Sequence, residues 1–204
     1  MKKYITTFLL LTGLFFTAFS NVSVHSKDAI LGTWLNNGNT EQYIRFLDIG
    51  VFERIYYYDG PMEQAGHFSI SNNRLILDGV EWAYSINGYI LRMYDPFIEY
   101  PFVDYFVHEA AFREPLTLNE GLVGTWLLGF DNSIELTLNY DGTAETFLSD
   151  SAYWVSLDDV LLIKSRSTQP WDMSVIDISF FEINNNTLTL RAIRDEFETI
   201  YIRN

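Results

Sequence analysis

A block of four residues occurs twice in this chain, and its spacing constrains the fold more than any other feature. Leu31-Gly32-Thr33-Trp34 returns as Val123-Gly124-Thr125-Trp126, 92 positions later. At the same offset Gly50 meets Gly142 and Glu53 meets Glu145, inside two segments that both read as strand, tight turn, strand. A second pattern runs from an aromatic through Ile or Leu and a turn of Asn, Asp, Ser or Gly into a Leu/Ile-rich strand. It covers Phe68 to Leu77, Tyr84 to Arg92, Trp154 to Ile163 and Phe181 to Leu190, two instances in each half and in the same order. Self-similarity of this kind marks the duplication of a whole module.

The strand assignment follows from alternation. Val80, Trp82, Tyr84 and Ile86 fall on one face and Glu81, Ala83 and Ser85 on the other; Ile134, Leu136 and Leu138 alternate with Glu135 and Thr137. Period two over such short spans signals half-buried antiparallel strands. Asp59-Gly60, Asp78-Gly79, Asn87-Gly88 and Asp141-Gly142 supply residues that tolerate the positive φ of tight hairpins. Turn signals at this density indicate a sandwich or a barrel. The expectation is an all-β chain of two tandem antiparallel meander β-barrels, module 1 over 28–113 and module 2 over 122–204. The polar stretch 114–121, with Pro115 and Gly121, is the expected linker. One larger barrel shared by both halves is the competing architecture. At about 85 residues per module, a barrel of eight strands is filled largely by its own side chains, and the 17% aromatic content supplies that filling.

Residues 1–26 read as a signal-peptide helix and leader: Lys2 and Lys3, an apolar run from Tyr4 to Phe19, and small residues before cleavage after Ser20 or Ser26. The expected location is therefore outside the cytoplasm, periplasmic or extracellular, with no stable membrane insertion once the leader is removed. The chain contains no cysteine, which removes disulfides and thiolate metal sites and leans toward a bacterial envelope protein. Formal charge is −14, and loss of Lys2 and Lys3 takes the mature chain to −16. That balance opposes nucleic acid and anionic lipid, both of which need a basic footprint, and permits a basic protein partner.

These residues together resemble the small lipocalin-like domains of bacterial exported proteins. The Gly-Thr-Trp strand, the Asp141-Gly142-Thr143 hairpin and the aromatic-x-Ile-turn-x-Leu-x-Leu hairpins carry the resemblance, which covers nearly the whole mature chain twice. It implies that each Trp closes one end of a barrel under a basic residue that follows the last strand. Arg203 stands 77 residues after Trp126, and Arg113 stands 79 after Trp34. Such a cation–π closure is worth roughly 0.5–2 kcal/mol. The resemblance further implies a binding protein, but the modules are about half the length of ligand-holding lipocalin barrels.

Residues suited to catalysis or metal binding are few and scattered. His25, His67 and His108 are far apart and lack matched carboxylates, so no zinc site or triad is expected. Asp158-Asp159 reads as a hairpin turn and Glu196/Glu198 as an outward strand face. Neither has a partner that would split the two pKa values for acid–base work. The expectation is a protein that is not an enzyme and needs no cofactor or metal. Two aromatic loops exceed ordinary core. Tyr94, Phe97, Tyr100 and Phe102 lie in a segment interrupted by Pro96 and Pro101, and Trp171 lies in Thr168–Asp172. Aromatic anchors with polar neighbours suit a binding patch. Two functions remain open: a small apolar ligand bound at a loop-rimmed barrel mouth, or an acidic module that binds a basic protein.

Overall fold

The structure is a computed structural model that describes residues 27–37, 41–57, 61–99, 103–113, 118–146, 149–165, 175–193 and 197–204. The expected leader, His25, the Asp59-Gly60 turn and Glu196 lie outside them. Module 1 contains β1 (Gly32–Asn36), β2 (Glu41–Phe46), β3 (Val51–Tyr57), β4 (Pro61–Ser71), β5 (Arg74–Leu77), β6 (Val80–Asn87), β7 (Ile90–Tyr94) and β8 (Val103–His108). Module 2 contains β9 (Gly124–Leu128), β10 (Asp131–Leu138), β11 (Thr143–Thr146), β12 (Ser149–Leu157), β13 (Val160–Ser165), β14 (Val175–Asn184), β15 (Thr187–Ala192) and β16 (Glu198–Arg203). Each set closes on itself as an antiparallel meander, β1 pairing with β8 and β9 with β16. The fold is thus two tandem barrels, and the single shared barrel is excluded.

Local chemistry explains the duplication. The turns after β2 and β10 use Gly50 at φ 80° and Gly142 at φ 79°, a region open to glycine and strained for other residues. The same hydrogen bonds recur around them: Leu47 N–H to Val51 O at 2.8 Å and Asn139 N–H to Thr143 O at 2.9 Å. Phe68 N–H to Gly50 O and Trp154 N–H to Gly142 O are both 2.8 Å. The four aromatic hairpins are β4–β5, β6–β7, β12–β13 and β14–β15.

A short segment before each barrel plugs one end. Helix α1 (Lys27–Ile30) places Ile30 against the first core, and Leu118, Leu122 and Val123 pack on the second. Trp34 Nε1–H donates to Ile30 O at 2.7 Å and Trp126 Nε1–H to Leu122 O at 2.8 Å, so each buried indole satisfies a buried carbonyl four residues back. Residues 118–121, expected in the linker, therefore belong to the plug of module 2, and Asn119 N–H is held by Ser156 Oγ at 2.9 Å.

The barrels also pack side by side. Ile90, Val107 and Ala111 of module 1 bury themselves against Val155, Val160, Leu162, Ile176 and Ile178 of module 2. Leu35, Tyr105 and Phe112 join from one side and Leu157, Phe180 and Ile193 from the other. Outward-facing aliphatic residues thus form a third core between the modules. Among the described residues no helix is long and apolar enough to cross a membrane.

Candidate functional site at the open end of the second barrel

The plugged ends differ in one respect from the expectation. Arg203 lies over Trp126, its guanidinium carbon 4.5 Å from the ring centroid, and donates to the carbonyls of Gly121 and Val123. Arg113 does not take the corresponding place over Trp34. It pairs with Glu109, one turn back in the 3-10 helix Glu109–Phe112, and its side chain is exposed. His108 occupies the position instead, because the register sets His108 opposite Trp34 just as it sets Arg203 opposite Trp126. Its ring meets Trp34 edge-on at 4.8 Å, Nε2 lies 3.1 Å from Leu31 O, and Nδ1 accepts from Ala110 N–H at 3.1 Å. The residue that closes a barrel is the one on the last strand opposite the tryptophan, and Arg113 lies beyond that strand.

The aromatic loops are partly described. Tyr94 ends β7 half-buried with the Arg92 guanidinium 5.1 Å from its ring centroid. Phe97 is 77% exposed, its N–H held by Asp95 Oδ1 at 2.9 Å. Phe97 and Ile98 thus face solvent and do not cap module 1. Tyr100, Phe102 and Trp171 lie outside the described residues. Asp158 takes a positive φ of 52° in the β12–β13 turn, and Glu198 pairs with Arg191 at 2.7 Å on the outer face of β16. Among the described residues no group of three His, Asp or Glu could hold a metal ion.

The interiors of the two barrels are the informative comparison, since register aligns them residue by residue. In module 1 the interior holds Trp34, Ile44, Phe46, Phe52, Phe68, Leu75, Leu77, Tyr84, Leu91, Met93 and Phe106, all buried. Toward the open end Asn36, Arg54 and Asp104 continue the same strand faces, with Arg54 over the Phe52 ring at 5.7 Å. That barrel is full. Burial raises the pKa of Tyr84 within it.

Module 2 replaces several of these side chains with small ones. Opposite Ala152, Ala144 takes the place of Phe52, which lies opposite Gly66. Thr146 stands for Arg54. Ser179, paired with Leu161, stands for Trp82, paired with Leu75. Thr199 stands for Asp104, since the first pairs with Leu190 and the second with Met93. Trp154 in place of Phe68 restores only part of the lost volume. Leu190 is 9% exposed where Met93 is 1%, and Tyr201 is half-buried where Phe106 is 1% exposed, whereas Trp154 is fully buried where Phe68 is 6% exposed.

Toward the open end of barrel 2 the interior face therefore carries Leu128, Ile163 and Leu190, all buried, together with Tyr201 and the small polar Thr146, Ser165, Ser179 and Thr199. Asp177 lies on the same interior face, opposite Ile163, because its neighbours Ile176 and Ile178 point outward into the inter-module core. It is exposed to solvent, yet the strands around it strip enough hydration to raise its pKa. Burial and the negative charge of Asp177 also raise the pKa of Tyr201. Thr146 Oγ1 is buried here with no hydrogen-bond partner among the described residues.

Sequence reasoning missed Asp177, Tyr201 and Thr146. A register-by-register comparison of the two modules would have exposed the Phe52/Ala144 and Arg54/Thr146 exchanges. No protein-family model matches this chain, and a search of curated proteins finds no significant match.

Proposed function

We propose that this chain is a non-catalytic, exported, lipocalin-like binding protein whose second barrel takes a small apolar ligand at its open end, while the first barrel is a filled structural partner. The contrast between the two interiors carries the proposal. Burying Phe52 stabilises module 1 by about 2 kcal/mol, and a chain under selection for stability alone has no reason to keep Ala144 at the matching position. A concave apolar wall with a few polar groups is the usual form of a small-molecule site. Export rests on the leader at 1–26, and the non-catalytic reading on the structural placement of Asp158, Glu198 and His108. Nile red, a neutral solvent-sensitive dye, tests the site. We expect a blue-shifted, saturable signal with the full chain that Ala144→Phe abolishes while the melting temperature is kept. No shift with folded protein would sink the reading.

A protein partner is the second reading, and one surface favours it. Ile200 and Ile202 are 50% and 45% exposed on the outer face of β16. Register makes Ile202 the counterpart of Val107, which module 2 covers completely. The acidic charge of the chain suits a basic partner there. Loss of a recovered partner on Ile202→Glu, with Nile red binding unchanged, would favour this second reading.

A further inference from the structure

The hairpin β14–β15 carries a groove on its outer wall. Leu188 and Leu190 point into the core of barrel 2 and Phe181 and Ile183 pack against it, so Glu182, Asn184, Thr187 and Thr189 face outward. Register sets Glu182 beside Thr189 and Asn184 beside Thr187. With Asn185 and Asn186 of the turn they line an open groove of about 520 Å³, within the range of roughly 300–1,000 Å³ typical of small-molecule sites. The next strand continues the surface, with Ile200 beside Thr189 and Ile202 beside Thr187, both exposed. The turn itself is held in place: Asn186 O accepts from Arg203 N–H at 2.8 Å, and Asn185 Nδ2–H donates to Asn184 Oδ1 at 3.2 Å. The turn of module 1 has the matching bond, Tyr89 O accepting from His108 N–H at 2.8 Å. There Tyr89 stands for Asn186 and Ile90 for Thr187, and both pack into the core between the barrels. The polar groove is thus a property of module 2.

The lining decides the class of ligand. Its three carboxamides and two hydroxyls both donate and accept hydrogen bonds, and the Glu182 carboxylate accepts. None of the six residues is a cation, so a phosphate or a carboxylate finds nothing there to neutralise it. An organic cation finds a single exposed carboxylate, a pairing worth about 1 kcal/mol or less. A divalent metal finds one anionic ligand where it needs several. A wholly apolar molecule would desolvate the amides and return no hydrogen bond. A neutral molecule rich in hydroxyls meets the lining on its own terms, since each hydroxyl donates to one group and accepts from the next. Ile200 and Ile202 then offer a surface for its C–H groups.

We propose that the outer groove of the β14–β15 hairpin binds a neutral carbohydrate, with hydroxyls bonded to Glu182, Asn184 and Thr187 and a C–H face lying on Ile200 and Ile202. The groove lies on the outer wall at the plugged end of barrel 2, where Arg203 stacks on Trp126. It is separate from the barrel interior, so it stands or falls independently of an apolar ligand at the open end.

The test uses the full chain and three neutral trisaccharides, maltotriose, cellotriose and chitotriose, followed by isothermal titration calorimetry. Trigalacturonate is the anionic comparison and trilysine the cationic one. At least one neutral sugar is expected to bind, and more tightly than either charged probe. Asn184→Ala should weaken that sugar about fivefold, the worth of one hydrogen bond, and leave Nile red binding unchanged. Thr187→Ile, which installs the residue of module 1, should weaken it at least as much. Both positions lie on the outer surface, and an unchanged melting temperature shows that the variants fold. Ala144→Phe, inside the barrel, should leave sugar binding as it was. Sugar binding that survives both Asn184→Ala and Thr187→Ile, or trigalacturonate binding as tightly as the best neutral sugar, overturns the inference. Trilysine binding more tightly than every sugar, and lost in Glu182→Gln, would make the groove a basic-peptide site and overturns it too. So does failure of all three neutral sugars with folded protein.

Discussion

His108 stands edge-on to Trp34, ring centroids 4.8 Å apart, at the register position where Arg203 stacks on Trp126 in the second module. Two different side chains therefore close two copies of one barrel. Both reach the same element: His108 Nε2 meets the carbonyl of Leu31, and Arg203 donates to the carbonyl of its counterpart Val123. A closing residue must satisfy that carbonyl and cover an indole, and both imidazole and guanidinium do so.

The closing residues should show this in stability. Arg203→Ala removes a cation–π contact and the guanidinium hydrogen bonds to two carbonyls, and is expected to destabilise module 2 by about 1–2 kcal/mol. Arg203→Lys should recover less than half of that loss, since an ammonium cannot stack and fork together. His108→Ala should cost module 1 about 1–2 kcal/mol through the unpaired Leu31 carbonyl and the lost ring contact. Arg113→Ala, which breaks only a surface pair with Glu109, should stay within about 0.5 kcal/mol. Urea unfolding followed by tryptophan fluorescence checks all four. Equal losses for Arg113→Ala and His108→Ala would restore Arg113 as the closing residue.

Gly32 and Gly124 separate two causes of strain. Both adopt positive φ, 114° and 134°, so alanine is strained at either position. At Gly32 a Cβ would also lie 2.2 Å from His108 Nε2, whereas at Gly124 nothing lies within 4 Å. Gly32→Ala is therefore expected to cost about 1 kcal/mol or more beyond Gly124→Ala. In a double-mutant cycle His108→Ala should relieve that excess and leave the backbone part. Additive losses in the cycle would show that the imidazole moves aside without cost.

The fold was legible in the sequence because duplication and turn chemistry are local signals. Gly50 and Gly142, the Asp78-Gly79 turn and the four aromatic hairpins each declare themselves within a few residues. The site was not, and β14 shows why. Ile176, Ile178 and Phe180 are its apolar set, so alternation alone points them at the barrel core and Asp177 at solvent. They instead face module 1, in a core that exists only once both barrels are formed, and Asp177 turns inward. The same inversion on β16 leaves Ile200 and Ile202 outside and Tyr201 inside. Period two reports which residues share a face; it cannot say which of two buried surfaces that face meets.

The inter-module core should hold the halves together without the covalent link. A protease site introduced into 114–117 would cut between β8 and the plug of module 2. We expect the two pieces to co-elute on gel filtration at high salt, since the contact is aliphatic and unscreened. Ile178→Asp places a charge in that core, which also holds Val107 and Ile90, and should release the pieces after cutting. Separation of the uncharged, cut protein would show that the barrels are independent.

Burial raises the Asp177 pKa in the folded chain above its unfolded value of about 3.9. The folded state then binds its proton more tightly than the unfolded state, so ionisation of Asp177 opposes folding. Its cost is absent below the unfolded pKa, grows as pH rises through the folded pKa, and is fully present above it. Asp177→Asn has no proton to lose and escapes that cost. The melting temperature of Asp177→Asn minus that of the parent should therefore be near zero at about pH 3.5 and positive at about pH 7, other carboxylates cancelling in the difference. A gap of constant size across the range would mean that Asp177 acts through shape alone and not through its charge.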